Sequence, residues 1–187
     1  LFNLIKNFLK KNNKFTEDWN PLNLLSCDAA TVGNFDLGIL NNEKNLLEEL
    51  KSNKFEIVYL VGQDNLNFNK KNEFVIYQGS HGDRGAEIAD IILPSTAYTE
   101  ENGLYQNLEG RVQECRKASY PAGQALEGWK ILKNICIALK KEKLFNSFNT
   151  LREEVLNSII NFTKINNLPK YKSPQKKTNN NFIDEKI

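Results

Sequence analysis

The stretch that decides the fold class is Phe-Glu-Ile-Val-Tyr-Leu-Val at residues 55–61. It is an almost unbroken run of apolar side chains, rich in β-branched and aromatic residues, and Gly62 ends it. A strand with one face in solvent alternates apolar and polar residues, whereas a strand covered on both faces does not. The run therefore predicts a strand of a parallel sheet that is covered on both faces.

Two more runs of the same character follow. Phe74–Tyr77 reads Phe-Val-Ile-Tyr, and Ile88–Leu93 is closed by Pro94. The connections between the runs are polar and about ten to a dozen residues long, near the minimum for a crossover between parallel strands. We expect an α/β fold with short parallel strands and flanking helices.

Three helical segments are predicted before the first strand. Residues 1–15 are basic with apolar side chains at helical spacing, which favours an amphipathic helix packed on the fold or, alternatively, a targeting helix. A second segment lies between Trp19 and Val32. A third begins near Asn42, which can cap it, and presents Leu46, Leu47 and Leu50 on one face.

The chain changes character after the third strand. Glycine and proline interrupt short extended pieces at residues 104–107 and 112–115, so residues 95–123 are predicted to form a long ordered loop with a hairpin-like excursion. A helix follows, with Glu127 near its start and one apolar face made by Trp129, Leu132, Ile135, Cys136 and Leu139. A last helix is predicted over Phe145–Phe162, which makes the C-terminal part helical.

The composition excludes several classes of function. With 25 basic and 23 acidic groups the net charge is +2, too small an excess to neutralise the many phosphates of a nucleic acid. No stretch reaches the roughly 18 to 20 apolar residues of a membrane span. The three cysteines, Cys27, Cys115 and Cys136, lie far apart without the spacing of a zinc or iron–sulfur site, so we expect no metal.

The length of 187 residues suits one globular domain. We assign residues 1–166 to the α/β domain and the Lys- and Asn-rich residues 167–187 to a tail. The few apolar groups of the tail cannot offset the cost of ordering its backbone, so a partner chain is needed to order it. The chain lacks Met and begins with Leu1, so it is either a fragment or starts at a non-standard codon.

Three glycines follow the second strand at steps of three: Gly79, Gly82 and Gly85. Backbone amides of such a loop can approach a phosphate. The spacing differs from G-x-G-x-x-G, however, and no long helix follows. We therefore favour glycines that permit a tight turn between two strands.

The polar residues of this region are interpreted as structural. His81, with Asp83 two residues on, could act as a general base, but no nucleophile accompanies them, and we favour a histidine bonded to loop backbone. Carboxylates along the loop are expected to pair with Arg111 and with backbone amides; they are Asp90, Glu100, Glu101 and Glu109. No residue is assigned a catalytic, cofactor-binding or metal-binding role.

Four stretches resemble a known family. They are Y-Q-G-S-H-G-D at residues 77–83, G-A-E-I-A-D-I-I-L-P at 85–94, A-Y-T-E at 97–100 and Y-Q-N-L-E-G-R-V-Q at 105–113. Together they resemble the C-terminal, molybdopterin-oxidoreductase-like domain of the large iron–sulfur subunit of NADH:ubiquinone oxidoreductase, respiratory complex I. The resemblance is strongest over residues 55–139 and implies a partial Rossmann-like fold.

The same resemblance implies a structural role in the peripheral arm of complex I, on the matrix side of the mitochondrial inner membrane. The cysteine motifs that bind iron–sulfur clusters in the N-terminal part of the family are absent here. Clusters and FMN are therefore expected on partner chains, namely the N-terminal iron–sulfur portion of the same subunit and other peripheral-arm subunits. The chain itself is expected to support electron transfer from NADH to ubiquinone without holding a cofactor.

Two alternatives remain open. One is a fragment of a molybdopterin-dependent oxidoreductase whose loop at residues 79–85 contacts the pterin pyrophosphate, and the other is a free-standing nucleotide-binding protein. If the chain instead has the structural role in complex I, its roughly three strands form an incomplete sheet with an open edge and an apolar patch. The chain alone should then aggregate or fold loosely, and become soluble with the polypeptide that bears the iron–sulfur cysteines.

Overall fold

The computed structural model of the chain describes residues 1–15, 20–39, 46–66, 69–141, 145–158 and 165–167. These residues fall into two compact units. One contains the described residues up to Cys27, and the other contains those from Asp28 onward.

The first unit contains helix α1, Phe2–Lys11. Lys10 and Lys11 in its last turn complement the negative end of the helix dipole. The side-chain amide of Asn12 donates to the carbonyl of Phe8 at 2.8 Å where the helix ends. The predicted N-terminal helix is thereby confirmed.

The second predicted helix, between Trp19 and Val32, is wrong over residues 20–30, which contain no helix, and only its last two residues, 31 and 32, are helical. Asn20 Oδ1 accepts a hydrogen bond from the amide of Leu22 at 3.0 Å, and Pro21 between them has no amide hydrogen to donate. Such local bonding competes with helix formation. Helix α2 forms later, at Thr31–Asp36, in the second unit.

The second unit is built on a parallel sheet with the strand order β1-β2-β3. The strands are β1 Ile57–Val61, β2 Phe74–Gly79 and β3 Ile91–Pro94. Leu60 pairs with Tyr77, which pairs in turn with Ile92. The predicted α/β class and its parallel strands are confirmed.

Two short helices accompany the sheet. Helix α3, Leu46–Lys51, precedes β1, and helix α4, Arg84–Glu87, lies in the crossover from β2 to β3. The predicted helix before β1 is confirmed, although its proposed cap, Asn42, lies outside the described residues. The predicted start of β3 at Ile88 is wrong, because Ile88 is the C-terminal cap of α4. Its amide donates to the carbonyl of Arg84, which completes a helical turn before the strand begins.

The core lies on one side of the sheet, here called the closed face. Its buried side chains are Val58, Leu60, Val75 and Tyr77, packed by Leu50, Leu66, Ala86, Ile88 and Ala89. The side chains that alternate with them point to the opposite side, the open face, which is made by Ile57, Tyr59, Val61, Phe74, Ile76, Gln78, Ile91 and Leu93. Ile57 and Val61 are 62% and 56% exposed there. Among the described residues, the expected cover is therefore only partial on the open face.

An antiparallel hairpin follows the sheet, with strands β4 Gly103–Gln106 and β5 Val112–Cys115. At its tip Asn107 Oδ1 accepts from the amides of Glu109 and Arg111, and Gly110 adopts a φ of 79°. A positive φ suits glycine, which has no Cβ to clash with the backbone. The predicted hairpin-like excursion is confirmed.

Two longer helices complete the unit, α5 Gly128–Ala138 and α6 Phe148–Ser158. Both agree with the predicted C-terminal helices, but residues 159–162 of the second prediction, and the tail from residue 168, lie outside the described part. Every helix of the described part is too short or too polar to cross a lipid bilayer.

Candidate functional site

The loops at the carboxyl ends of the three parallel strands form the candidate site. The strands end at Val61, Gly79 and Pro94, and parallel strands bring such ends to one edge. In open α/β sheets, ligands bind outside this edge. Each sequence-predicted polar residue can therefore be judged by what it contacts there.

Tyr77 lies at the centre of this edge, 1% exposed on the closed face. Its hydroxyl lies within donating distance of two acceptors, Asp64 Oδ2 at 2.9 Å and the carbonyl of His81 at 2.8 Å. Burial, and then the hydrogen bond to Asp64, raise the pKa of Tyr77 to about 12. The phenol therefore stays protonated at physiological pH and ties the first two crossover loops together.

The glycines of the loop pack against this tyrosine. A Cβ on Gly79 would overlap the Tyr77 hydroxyl, and one on Gly85 would lie 2.7 Å from the ring and 2.9 Å from the carbonyl of Gln63. Gly82 has open space around it, and all three glycines lack a positive φ. The expected tight turn is thus wrong: two of the glycines are required by the close approach of Tyr77, and the connection is a crossover that contains α4.

His81 is exposed on the surface of the loop. Its Nδ1 lies 2.9 Å from the hydroxyl of Ser80, and its carbonyl accepts from Tyr77. The ring therefore bonds to a neighbouring side chain rather than to the loop backbone as predicted. Within the described residues, the structure does not bring the His81 ring and Asp83 into a hydrogen-bonded pair.

Asp90 ties the start of β3 to β2. Its carboxylate accepts from the amide of Val75 at 2.8 Å and pairs with Lys70 Nζ at 2.5 Å, while its own amide donates to the Val75 carbonyl at 2.8 Å. The hydrogen bond from Lys70, followed by that from Val75, holds the pKa of Asp90 below its ordinary value. This agrees with the predicted structural role.

The adjacent carboxylates of the long loop, Glu100 and Glu101, also accept hydrogen bonds from groups of the same chain. Glu100 Oε2 accepts from the amide of Ala97 at 3.1 Å. Glu101 Oε2 accepts from the Thr96 hydroxyl at 2.9 Å and from the amide of Gly128, the first residue of α5, at 3.4 Å. The carboxylates therefore anchor the loop to the start of a helix, as the sequence predicted.

Arg111 differs from its prediction. Its main-chain amide donates to Asn107, but its side-chain Nε is buried without a hydrogen-bond partner. Glu114 of the same hairpin pairs instead with Arg152 at 3.3 Å and with Arg116 at 3.7 Å. The hairpin is held to α6 by Arg152, a contact that sequence spacing did not indicate because 38 positions separate the two residues.

The cysteines are all unpaired, with Cys115 and Cys136 half-buried and Cys27 exposed. Cys136 lies on α5 as predicted, and Cys27 lies outside the helices and strands. Within the described ranges no group of three or more His, Cys, Asp and Glu side chains could hold a metal ion. The expectation that the chain carries no metal stays a prediction.

Sequence reasoning missed the central residue of the site. In the sequence, Tyr77 is one apolar member of a predicted strand, and Asp64 is part of a polar connection. The available signal was Gly79, two residues after this aromatic side chain in the same strand, since a glycine inside a strand often marks a bend or the close approach of another group.

Most of the chain is similar in sequence to known proteins. Residues 1–138 match the family model of molybdopterin oxidoreductase. The chain is 38% identical to the NADH-ubiquinone oxidoreductase 75 kDa subunit of Reclinomonas americana over 175 residues, which is 92% of this chain and 25% of the relative. It is 42% identical to a subunit of the NADH-quinone oxidoreductase of Rickettsia bellii over 156 residues, or 83% and 22%.

A third relative is the mitochondrial NADH-ubiquinone oxidoreductase 78 kDa subunit of Candida albicans, 40% identical over 156 residues. That match spans 81% of this chain and 21% of the relative. The chain thus spans about a quarter of the length of the relatives that it matches. Since the family model covers well over half of its residues, the chain belongs to the molybdopterin oxidoreductase family.

Proposed function

We propose that this chain is a structural portion of the peripheral arm of respiratory complex I. It completes the large iron–sulfur subunit and supports electron transfer from NADH to ubiquinone, while the iron–sulfur clusters and FMN reside on partner chains. Its direct partners are the N-terminal iron–sulfur portion of the same subunit and other subunits of the arm.

One observation carries this proposal. The similarity to the 75 kDa subunit extends over 92% of the chain. It therefore includes the strands, the Tyr77 loop and the hairpin together. A match of this extent indicates a shared fold and setting rather than one shared motif.

The chemistry of the candidate site supports the absence of a catalytic role. Its carboxylates accept hydrogen bonds from the chain's own backbone, as Glu100 and Asp90 do, and the Tyr77 phenol is bonded on the inside. Groups engaged in this way hold loops in place and are not directed toward a substrate. His81, which is exposed, has Ser80 as its partner.

The family name raises the question of a pterin cofactor. A pyrophosphate cradled by the loop at residues 79–85 would need free backbone next to its glycines. The Cβ positions of Gly79 and Gly85 face the ring of Tyr77, so packing within the chain accounts for both glycines without a ligand, and Gly82 faces open space. This supports our proposal that the chain carries no cofactor of its own.

The location follows from the relatives. The relative from Candida albicans is named as a mitochondrial protein, which supports a mitochondrial location for this chain. We place it on the matrix side of the inner membrane, within the peripheral arm.

Affinity purification of the tagged chain from its native source tests the proposal. We expect a polypeptide with iron–sulfur cysteines to co-purify, together with NADH:ubiquinone oxidoreductase activity, and the metal content to be iron without molybdenum or tungsten. Molybdenum with a pterin in stoichiometric amount would contradict it in favour of an oxidoreductase. A chain that purifies alone with a bound nucleotide would contradict it in favour of a nucleotide-binding protein.

A further inference from the structure

The open face of the sheet is an apolar surface that the proposed function leaves unexplained. In register, Ile57 lies beside Phe74, and Tyr59 beside Ile76, which lies beside Ile91. Each strand therefore contributes apolar side chains to one continuous surface. Ile57, Phe74 and Ile91 are 62%, 44% and 45% exposed.

Helix α5 covers only one end of this surface. A Cβ on Gly128 would lie 3.1 Å from the Gln78 amide, and the Tyr59 hydroxyl donates to Gln78 Oε1. Leu93 of β3 lines a cleft together with Ile131 and Ile135 of α5. Among the described residues, cover is thus present near Gln78 and Leu93, whereas Ile57, Val61, Phe74 and Ile91 stay exposed.

The side chains of the open face carry no charge. Gln78 and Tyr59 are its polar members, and they bond to each other. A sheet face meant for solvent carries polar or charged side chains, whereas a parallel sheet is normally covered by helices on both faces. The composition of this face therefore requires an apolar cover and favours a helix.

We infer that an amphipathic helix from the remainder of the longer subunit packs on the open face. This inference rests on the proposed function and adds the surface through which it acts. The relatives are about four times as long as the matched part, so most of their polypeptide is outside this chain. The helix presents an uncharged, aliphatic stripe, because the surface offers no charge for it to pair with.

Photo-crosslinking in the purified assembly tests the contact directly. A benzoylphenylalanine replaces Phe74 in one sample and Tyr120, a loop residue that is 81% exposed, in a control. We expect the probe at position 74 to crosslink to a helical segment of the partner polypeptide, and the control to give less of that product. Crosslinks from position 74 only within this chain, or only to a second copy of it, would overturn the inference.

A pair of charge substitutions gives an independent measurement. Ile57→Asp places a carboxylate on the open face, and Leu139→Asp places one at the end of α5 on a residue with nearly the same exposure, 64% against 62%. Burying an unpaired carboxylate is costly, so we expect Ile57→Asp to lower the amount of partner recovered by about tenfold or more, a factor that corresponds to about 1.4 kcal/mol. Leu139→Asp should leave recovery within about twofold, which is less than about 0.5 kcal/mol.

Equal recovery with both variants would overturn the inference while leaving the proposed function intact, since the chain would still join the assembly by another surface. If the unmodified chain recovers no polypeptide of complex I, the proposed function itself fails. The two failures are therefore distinguished by the same purification.

Discussion

The two faces of the parallel sheet differ in cover far more than in composition. Both are dominated by aliphatic and aromatic side chains, yet Val75 on the closed face is fully buried while its neighbour Phe74 on the open face is 44% exposed. Over β1 and β2 the closed face is covered by side chains from the same chain, including Leu50, Leu66 and Ile88, whereas Ile92 of β3 on this face is 52% exposed. Apolar sequence thus shows that a strand needs cover without showing which polypeptide provides it.

The difference has an energetic consequence. Burying an aliphatic or aromatic side chain contributes about 1.5 to 3 kcal/mol relative to leaving it exposed. The closed face has this contribution within the chain, whereas Ile57 and its neighbours on the open face lack much of it until another surface packs on them. With the inferred helix packed on the open face, assembly would add to the stability of the fold, and substitutions on the two faces should differ in their effects in the chain alone.

Removing the centre of the closed face should have the largest effect. We expect Tyr77→Ala to lower the free energy of unfolding by about 3 to 5 kcal/mol, because a large buried ring and its hydrogen bonds are lost. Phe74→Ala on the open face is the matched control and should cost less in the chain alone. The measurement is urea unfolding of the chain kept soluble by a fused tag; equal losses would contradict the contrast between the faces.

Adding a methyl group at two glycines of the loop tests how closely the closed face is packed around Tyr77. Gly85→Ala should destabilise the chain by about 1 to 3 kcal/mol, since overpacking forces the ring or backbone to move. Its new Cβ would lie 2.7 Å from Tyr77. Gly82→Ala has open space and no positive φ, so it should be nearly neutral. Thermal unfolding of both variants measures this difference, and similar losses would disprove the role assigned to Tyr77.

The hydrogen bond and ion pair of the Asp90 carboxylate predict that the free energy of unfolding depends on pH. Its carboxyl has a pKa lower in the folded chain than the ordinary value of 3.8, so its contribution to stability is present above that pH and is lost as pH falls through the folded-state pKa. Asp90→Asn should remove this contribution and flatten the loss of stability at acid pH. Unfolding measured at several pH values checks this; an unchanged pH profile would contradict it.

The smallest effect is expected at the exposed rim of the loop. His81→Gln keeps one hydrogen-bonding group but loses acid–base capacity. Because the ring contacts Ser80 at the surface, electron transfer by the assembled complex should stay nearly unchanged. Turnover lower by orders of magnitude in a normally assembled complex would show that the candidate site, at the carboxyl ends of the strands, is catalytic. A change limited to assembly yield would agree with the structural role.

Local sequence patterns predicted the elements whose bonding is local. The unbroken apolar run of β1, the hairpin around Gly110 and the apolar stripe of α5 were all found where expected. The helix predicted between Trp19 and Val32 is absent over residues 20–30, where Asn20 and Pro21 set a different local bonding pattern. Periodicity thus predicted whether an element is a helix or a strand. The residues at which elements begin and end depend on side-chain hydrogen bonds such as those of Asp90.

Contacts between distant residues could not be read in the same way. The Tyr77 bond to Asp64, the Gln106 bond to Asp36 at 2.7 Å and the Glu114 pair with Arg152 join positions that only folding brings together. For the same reason the glycine loop was assigned to a turn, although its glycines accommodate a ring from the preceding strand.

The sequence by itself determined the α/β class, the number of central strands and the resemblance to the family, because periodicity and motifs are properties of neighbouring residues. Only the tertiary structure decided that one face of the sheet is closed and the other is open. Side chains of both faces look alike in the sequence, and their difference lies in what packs on them after the chain has folded.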